Sequence, residues 1–335
     1  MARRFKAAAL RFRWPYRKNN KRKMTKELST NERDFIYNAI RKGYRTDGRK
    51  FNESRRLIMT VDRSLCTSRA EVVLGQTRVL SAVQAELVSP FPDHPTEGFL
   101  NVYVQMSAMA TERSKNTGYS SETSTELKLL IEESLKEGNS IDLEALCVLS
   151  GTSVWSIRVD VRILDDGGNV TDAAALAVIA SLLHFRKPVC SISGRSVVVH
   201  SEFERNPTPL SIHHIPICVS FAIFALPPEI TEGKNEEQEN EEQDMSYENS
   251  VPTLLMDPSR SEETFAHGFV TLAINTHGEL CVVQKDGGEA ILPAQLIECV
   301  KIALEKSKAF STVLNKALSL GEEEAEKRRL AYRPE

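Results

Sequence analysis

The chain has 335 residues, of which 41% are hydrophobic and 27% are charged, and its formal net charge is −3. These values are typical of a soluble globular protein, and the length allows one large or two medium domains. No apolar run reaches membrane-spanning length, and no segment has the apolar core of a signal peptide. The six cysteines lie in or beside apolar sequence without CxxC spacing. They are therefore predicted to be small core residues in a reducing compartment, which argues against a disulfide frame or a zinc site.

The first segment, from Met1 to Lys23, is rich in Arg and Lys and contains no acidic residue. One interpretation is a disordered basic arm, or upstream sequence without a role. A second is nuclear targeting or nucleic-acid binding through KNNKRK, and a third is a transit peptide, although serine is absent. Met24 stands as an alternative start of the working chain.

A first helix is predicted from Ser29 or Thr30, where Ser29 and Glu32 have capping-box spacing, to Gly43. The residues predicted to form its apolar face are Phe35, Ile36 and Ile40. Strand-like runs follow from Leu57 to Val88, with a hairpin turn at Gly75.

Another alternating run, Phe99 to Met106, predicts a strand, and the polar stretch from Ala108 to Ser121 predicts a loop. Leucine and isoleucine at helical spacing then predict a helix from about Glu122 to Glu137. Strands are predicted next for Leu146 to Val148 and Val154 to Ile163, with Trp155 in the core.

The stretch from Val161 to Phe185 reads as a strand, a tight turn and a helix packed on all sides. The turn is DDGG, and Thr171 or Asp172 is predicted to cap the helix. A glycine turn that opens onto a helix N-terminus suits an anion, because free N–H groups and the helix dipole both favour negative charge. The alternative is a plain strand–turn–helix crossover, since a GG turn alone is a weak motif.

The C-terminal half is predicted to begin with a hairpin in SGRSVVVHSEF and a buried strand from Ile215 to Phe224. Pro227 to Ser250 is an acidic segment that cannot bury enough apolar area to fold by itself. Strands are predicted for Thr253 to Met256, Gly268 to Ile274 and Leu280 to Val283. A last helix is predicted from near Pro293, with a stripe formed by Leu296, Ile297, Val300, Ala303 and Leu304. His213 and His214 are adjacent and point differently, so no metal site is expected there.

The element order predicts an α/β (α+β) fold in which strand groups alternate with helices through two similar passes. The predicted division is a basic arm (1–23), a first domain part (24–224), an acidic insert (225–251), a C-terminal part (252–318) and a charged exposed tail (319–335).

Several long runs together resemble the RNase PH family from about Leu28 to about Lys308. Within it, they are most similar to the RNase PH-like ring subunits of the eukaryotic RNA exosome, exosome component 9 type, also called the polymyositis/scleroderma autoantigen family. The runs are YRTDGRK, LGQTRVLSAVQAELVSP, LCVLSGTSVWSIRVDVRILDDGGNVTDAAALA, HFRKP and PLSIHHIPICVSF. The resemblance implies the RNase PH-like fold, with mixed sheets and packed helices.

Active members of that family cleave RNA from its 3′ end with inorganic phosphate as nucleophile. Their turn reads DGGTR, where Thr and Arg hold the phosphate, and this chain has Asn169 and Val170 at those two positions. A second phosphate-binding arginine in a GRTxE-like run is replaced by Thr123. Two aspartates of an LDLDYEED-like run are replaced by His200 and Asn206.

The resemblance therefore implies a degenerate site at Thr123, Asn169, Val170, His200 and Asn206, without metal or cofactor. Since one oriented charge is typically worth about 100-fold in rate, losing all of them predicts a non-catalytic subunit. The alternative is an active phosphate-dependent 3′–5′ exoribonuclease with a rearranged site that uses His200, Glu202 and Glu204.

As a ring subunit, the chain is expected to pair with RNase PH-like partners in a hetero-oligomer and to contact cap subunits with S1 and KH domains. RNA-path contacts are predicted for Arg113 and Lys115, with Arg78 as a third candidate whose alternative role is support of the fold. The resemblance implies rRNA maturation and mRNA turnover in the nucleus, nucleolus and cytoplasm, and no membrane partner.

Overall fold

The structure is a computed structural model that describes residues 29–64, 67–107, 110, 117–193, 196–201, 204–225, 252–288 and 290–331. The predicted basic arm, the acidic segment from Pro227 to Ser250, and the site candidates Arg113, Lys115 and Glu202 lie outside these residues. Within the described parts, no helix combines the length and the apolar content needed to cross a membrane.

Six strands from the first half of the chain form one mixed sheet. They are β1 (Leu57–Ser64), β2 (Thr67–Leu74), β3 (Thr77–Val88), β4 (Phe99–Met106), β5 (Cys147–Leu149) and β6 (Ser153–Asp165). The order is β1-β2-β3-β6-β4, and β5 pairs with the start of β6. All pairs are antiparallel except β4 with β6. The predicted hairpin turn between β2 and β3 is confirmed, and Gly75 adopts a φ of 62° there.

The later strands form a four-stranded antiparallel sheet and two small ribbons. They are β7 (Arg186–Lys187), β8 (Cys190–Ser193), β9 (Ser196–Val199), β10 (Thr208–Pro209), β11 (Ile217–Phe224), β12 (Thr253–Met256), β13 (Gly268–Ile274) and β14 (Leu280–Asp286). The four-stranded sheet has the order β12-β11-β13-β14, whereas β8 pairs with β9 and β7 with β10. All eight residues of β11 are buried, as expected for a central strand covered on both faces.

Helices pack against and between the sheets. They are α1 (Thr30–Arg41), α2 (Thr117–Glu132), α3 (Val170–His184), α4 (Arg260–Phe265) and α5 (Pro293–Ala331). The predicted all-round burial of the central helix is confirmed, because thirteen residues of α3 are buried. One core cluster joins α3 to residues of both sheets. Two sheets with packed helices confirm the predicted α/β plan.

Two details of the predicted helices are corrected at α1 and α2. Ser29 precedes α1 without making a side-chain capping bond, and Phe35 is 65% exposed, whereas Ile36 and Ile40 are buried. Phe35 lies one position, about 100° around the helix, from Ile36, so that its side chain leaves the buried stripe. The helix predicted from about Glu122 begins earlier, at Thr117, within the stretch that was predicted as a loop. Its α-helical part ends at Glu132, and a π-helical turn follows at Glu133–Glu137.

The last helix is longer than the sequence reading indicated. It continues to Ala331, so residues 319–331 are helical and not a separate exposed end, and Gly321 and Ala325 are buried. A Cβ at Gly321 would lie 2.4 Å from Cγ2 of Val61, so glycine allows α5 to pack closely on β1. Ile297, which was predicted in the apolar stripe, is 58% exposed.

Candidate functional site at the turn between β6 and α3

The turn from Asp165 to Asn169 joins β6 to the buried helix α3. Asn169 is the N-cap residue with a left-handed φ of 49°, and its side-chain oxygen accepts a bond from the Asp172 N–H at 3.4 Å. The predicted cap at Thr171 or Asp172 was therefore wrong, because α3 already begins at Val170. Asparagine tolerates the left-handed region and supplies the capping oxygen, so one residue performs both roles.

The carbonyl groups of the two turn glycines accept hydrogen bonds from distant parts of the chain. Arg55 Nη1 donates to the Gly167 carbonyl at 3.0 Å, and Arg55 Nη2 donates to the Gly168 carbonyl at 2.9 Å. The Thr77 hydroxyl also donates to Gly168, and the Arg260 N–H donates to Gly167 at 3.0 Å. The turn thus connects the segment before β1, the start of β3 and the start of α4.

The N-terminus of α3 is occupied by carboxylates of the chain itself. The Asn169 N–H donates to Oε1 of Glu263 at 2.5 Å. The Asn169 side-chain amide donates to Asp257 at 2.8 Å and to Asp172 at 2.7 Å. A helix N-terminus favours negative charge, and here the negative charge comes from α4 and from the loop that precedes it.

Arginines compensate two of the acidic groups. Asp257, whose side chain is 3% exposed, accepts bonds from the backbone and guanidinium of Arg55, both at 2.7 Å, and from Arg49 at 3.1 Å. Burial alone would raise the pKa of Asp257, but the hydrogen bonds and charge of Arg55 outweigh it and lower that pKa. Asp166 pairs with Arg260 at 2.8 Å.

Two further carboxyl groups at the turn have strongly raised pKa values. Burial raises the pKa of Asp172 to about 7, and the nearby charge of Asp257 adds to this, although Ser220 donates two hydrogen bonds to the Asp172 carboxylate. Burial also raises the pKa of Glu263 to about 7, with repulsion from Asp166 and an opposing hydrogen bond from Asn169. The cluster therefore holds at most part of its formal negative charge at neutral pH.

We expect the raised pKa of Glu263 to make stability depend on pH. The unfolded-state pKa of Glu is about 4.3, so between about pH 4.5 and 7 the folded state binds the extra proton and stability falls as pH rises. Glu263→Gln keeps the acceptor for Asn169 but cannot titrate. Urea unfolding at several pH values should give a flatter profile for this variant, with the fall in the free energy of unfolding across pH 5 to 7 reduced by about 2 kcal/mol.

Glu323→Gln on the exposed side of α5 serves as the matched control and should keep the wild-type slope. Asp257 acts in the opposite direction, because its lowered pKa makes its stabilisation disappear only on acidification below about pH 4. Identical slopes for wild type and Glu263→Gln over pH 5 to 7 would contradict the assignment of a raised pKa to Glu263.

The structure places the sequence-predicted site residues in separate locations. Asn169 and Val170 lie at the turn, and Val170 is 8% exposed within the core cluster. Thr123 lies half-buried on α2. His200 follows β9, where its ring nitrogens lie 2.7 Å from Ser191 Oγ and 3.2 Å from Glu204 Oε2, and Asn206 bonds with Arg329 of α5.

Arg78 lies on the solvent side of β3. Its guanidinium forms an ion pair with Glu71 on the neighbouring strand, and Asp165 faces it across the sheet. Its positive charge is therefore already compensated within the chain.

Sequence reasoning missed the residues that hold the turn, namely Arg49, Arg55, Asp257, Arg260 and Glu263. The run MDPSRSEE carried one local signal, since Ser259 and Glu262 form a capping box that starts α4. The capping box predicts where α4 starts. It does not predict which residue the neighbouring acid of that helix, Glu263, contacts.

Comparison with known proteins identifies the family. The profile of the 3′ exoribonuclease family matches with its domain 1 at residues 20–188 and with its domain 2 at residues 214–306. Exosome complex component RRP45A of Arabidopsis thaliana is 34% identical over 87% of this chain and 87% of its own length. RRP45 of Homo sapiens is 39% identical, and the match spans 87% of this chain but 60% of the human protein.

The rrp45 protein of Schizosaccharomyces pombe is 32% identical over 87% of this chain and 91% of its own length. An Archaeoglobus fulgidus exosome structure with RNA bound to the active site has a similar fold, with a TM-score of 0.65 and 24% identity. That match covers 84% of this chain and 97% of the other. These findings confirm the resemblance read from the motifs. The chain belongs to the 3′ exoribonuclease (RNase PH) family, in the group of exosome complex components named RRP45.

Proposed function

We propose that this chain is a non-catalytic structural subunit of the exosome ring, which supports 3′-to-5′ RNA processing and degradation. The observation that carries the absence of catalysis is the 2.5 Å contact between the Asn169 N–H and the Glu263 carboxylate. In active relatives, the residues at this turn hold the attacking phosphate. Here an intramolecular carboxylate already takes the N–H group at the start of the helix.

Electrostatics at the turn also disfavour an incoming phosphate. Four carboxyl groups, of Asp166, Asp172, Asp257 and Glu263, lie around the start of α3. Asp257 stays ionised because its pKa is lowered, so a phosphate would meet a negative charge in a partly buried site, while Asp172 and Glu263 carry only part of their charge at neutral pH. Arg55 and Arg260 already donate to Asp257 and Asp166, so neither guanidinium is left for a substrate.

The replaced positions support the same conclusion. Val170 cannot donate the forked hydrogen bonds with which an arginine grips phosphate. His200 bonds with Ser191 and Glu204, and Asn206 with Arg329, so the two positions carry neutral or basic groups in place of two carboxylates. Each lost charge is worth about 100-fold in rate, and we propose that their combined loss leaves no useful phosphorolysis.

The assembly proposal rests on the relatives, which are named as exosome complex components. We infer a hetero-oligomeric ring with other RNase PH-like subunits, in contact with cap subunits that carry S1 and KH domains and with RNA. Arg113 and Lys115 remain our candidates for nonspecific contacts to the RNA backbone. The proposed locations are the nucleus, the nucleolus and the cytoplasm.

The test is an end-labelled RNA decay assay with inorganic phosphate and magnesium, on the chain alone and on the chain assembled with a ring partner whose own site is disabled. We expect no nucleoside diphosphate in either case, and release only when the partner's site is intact. We also expect Val170→Arg to remain inactive, because Glu263 still occupies the N–H group. Phosphate-dependent diphosphate release by the chain would overturn the proposal, and failure to co-elute with any ring partner would overturn the assembly part.

A further inference from the structure

The ribbon of β8 and β9 carries a serine, a histidine and a glutamate that bond to one another in series. Ser191 Oγ lies 2.7 Å from Nε2 of His200, and Nδ1 of His200 lies 3.2 Å from Oε2 of Glu204. Both distances are within the reach required between a nucleophile, its general base and the group that orients the base. Hydroxyl, imidazole and carboxylate follow one another in the order in which serine hydrolases arrange them. The three side chains therefore have the connectivity of an activated serine.

The strand register explains why the serine and the histidine meet. Ser191 on β8 lies opposite Val198 on β9, and β9 ends one residue before His200. Side chains two positions apart share a face of a strand, so His200 lies diagonally across from Ser191 on that face. The His200 N–H donates to the Val189 carbonyl at 2.9 Å, which continues the strand pairing as far as the histidine. The backbone pairing of the ribbon thus positions the contact between the two side chains.

A turn after β9 brings Glu204 back to the histidine. The N–H groups of Glu204 and Arg205 both donate to the Ser201 carbonyl, at 3.1 and 3.2 Å. Glu204 follows His200 by four residues, which is the spacing at which side chains on a helical turn are neighbours. The Glu204 side chain is 65% exposed, whereas that of His200 is only 19% exposed. The carboxylate is therefore largely hydrated, and the imidazole that it contacts is largely covered.

The carboxylate decides which ring nitrogen of the imidazole carries the proton. An ionised carboxylate can only accept a hydrogen bond, so Nδ1 of His200 carries the proton and donates it to Glu204. Nε2 of the neutral ring then has a free lone pair, which accepts the bond from the Ser191 hydroxyl. In this tautomer, His200 can take the proton of the hydroxyl as the serine oxygen attacks an electrophile.

Partial exposure leaves the serine accessible to a molecule in solution. Ser191 is neither buried nor fully exposed, and Val198 on the same face is 47% exposed. The valine offers an apolar neighbour for a short acyl chain. At such an open site, water stabilises the negative charge that develops on an attacked carbonyl, and it does so less well than preorganised N–H groups. The arrangement therefore suits a single acyl transfer to the serine and does not suit rapid turnover.

We propose that Ser191 is an acylation site that takes the acyl group of an activated ester, with His200 as its general base and Glu204 as a positioning residue. An electron pair of Ser191 Oγ forms the new bond to the acyl carbonyl carbon, while the Oγ–H bond breaks and the proton moves to Nε2 of His200. The bond between the carbonyl carbon and the leaving oxygen then breaks, and the leaving group departs with that electron pair. The proton passes from His200 to the leaving group or to water, which restores the neutral ring.

The test incubates the full chain with p-nitrophenyl acetate and follows p-nitrophenolate release together with acetylation of individual peptides by mass spectrometry. The internal reference is Ser319, an exposed serine of α5 whose hydroxyl donates to the Lys316 carbonyl at 2.9 Å, because a carbonyl cannot take its proton. A positioned general base typically contributes about 100-fold or more in rate, and exposure to water reduces this. We therefore expect acetylation of Ser191 to be about 10-fold faster than that of Ser319.

Variants assign the roles of the other two side chains. His200→Gln keeps a hydrogen-bonding side chain but cannot take a proton, so it should lower acetylation of Ser191 to the rate of Ser319. Glu204→Gln introduces an amide that can donate to Nδ1, so acetylation should fall severalfold. The ¹⁵N shifts of the His200 ring should also show loss of the Nδ1–H tautomer in that variant, which a merely structural role of Glu204 would not cause. Ser319→Ala is the matched control and should leave acetylation of Ser191 unchanged.

The comparison of the two serines is made within the wild-type chain, so it does not depend on the folding of any variant. Equal acetylation of Ser191 and Ser319 would overturn the proposal, and so would an unchanged rate at Ser191 in a folded His200→Gln variant. An acetyl group found only on the His200 ring would overturn it as well, because the imidazole would then be the nucleophile. The RNA decay assay is independent, since this site needs neither RNA nor phosphate.

Discussion

Replacing Gly168 by alanine is expected to lower the free energy of unfolding by about 4 kcal/mol, or to prevent folding. Gly168 has a φ of 95°, where a side chain is strained. An added Cβ would also lie 2.5 Å from the Arg260 nitrogen, 2.6 Å from the Ser259 carbonyl carbon and 2.8 Å from the Pro258 oxygen. All three are backbone atoms of the segment leading into α4, so relief requires that segment to move off the turn.

Gly151→Ala is the matched control for this variant. Gly151 has a φ of 72°, yet no atom lies within 4 Å of its added Cβ. It isolates the backbone strain, for which about 1 kcal/mol is expected. Urea unfolding of both variants separates strain from collision. If both variants lose only about 1 kcal/mol, the segment leading into α4 moves away from the added Cβ at little cost, and its contact with the turn is not rigid.

Asp257→Ala is expected to lower the free energy of unfolding by about 3–5 kcal/mol, the usual cost of removing one partner from a buried ion pair. The side chains of Arg55 and Arg49 are only 11% and 12% exposed. They would lose their shared carboxylate and remain poorly hydrated. The amide of Asn169 would lose a partner as well. Denaturant unfolding monitored by far-ultraviolet circular dichroism gives the measurement.

Glu71→Ala is the control for that substitution. It removes the partner of Arg78, whose side chain is 51% exposed, so water replaces the lost contact and the cost should stay below about 1 kcal/mol. A loss in Asp257→Ala as small as in the control would show that Arg55 finds other acceptors, such as the turn carbonyls it already contacts.

Gly168→Ala and Asp257→Ala both test how strongly the turn before α3 holds the two halves of the chain together. Asp257 precedes α4, Arg55 precedes β1 and Gly168 precedes α3, so the ion pair and the close backbone contact join both halves of the chain at one point. If both large effects are found, the contacts around this turn hold the two halves of the fold together.

Much of the architecture follows from local sequence, because it depends on periodicity. Alternation predicted β6, an Ala- and Leu-rich run predicted α3, and two glycines predicted the turn between them. The motifs also identified the family, since a motif is a property of residues in order. Prediction from local pattern failed where the identity of a single position mattered. It missed Asn169 as the cap of α3 and placed Phe35 on the buried face of α1, whereas Phe35 faces solvent.

The contacts at the turn follow from tertiary structure alone. Glu263 lies 94 positions from Asn169 along the chain, and Asp257 lies 88 positions from it. No local spacing encodes a pairing over such a distance, because it arises only when the second sheet packs on α3 and brings the loop before α4 to the helix start. The sequence shows that valine occupies position 170, directly after Asn169. Only the folded chain shows that the Glu263 carboxylate accepts the Asn169 N–H at the start of α3, since hydrogen-bond partners depend on proximity in space and not on order in the chain.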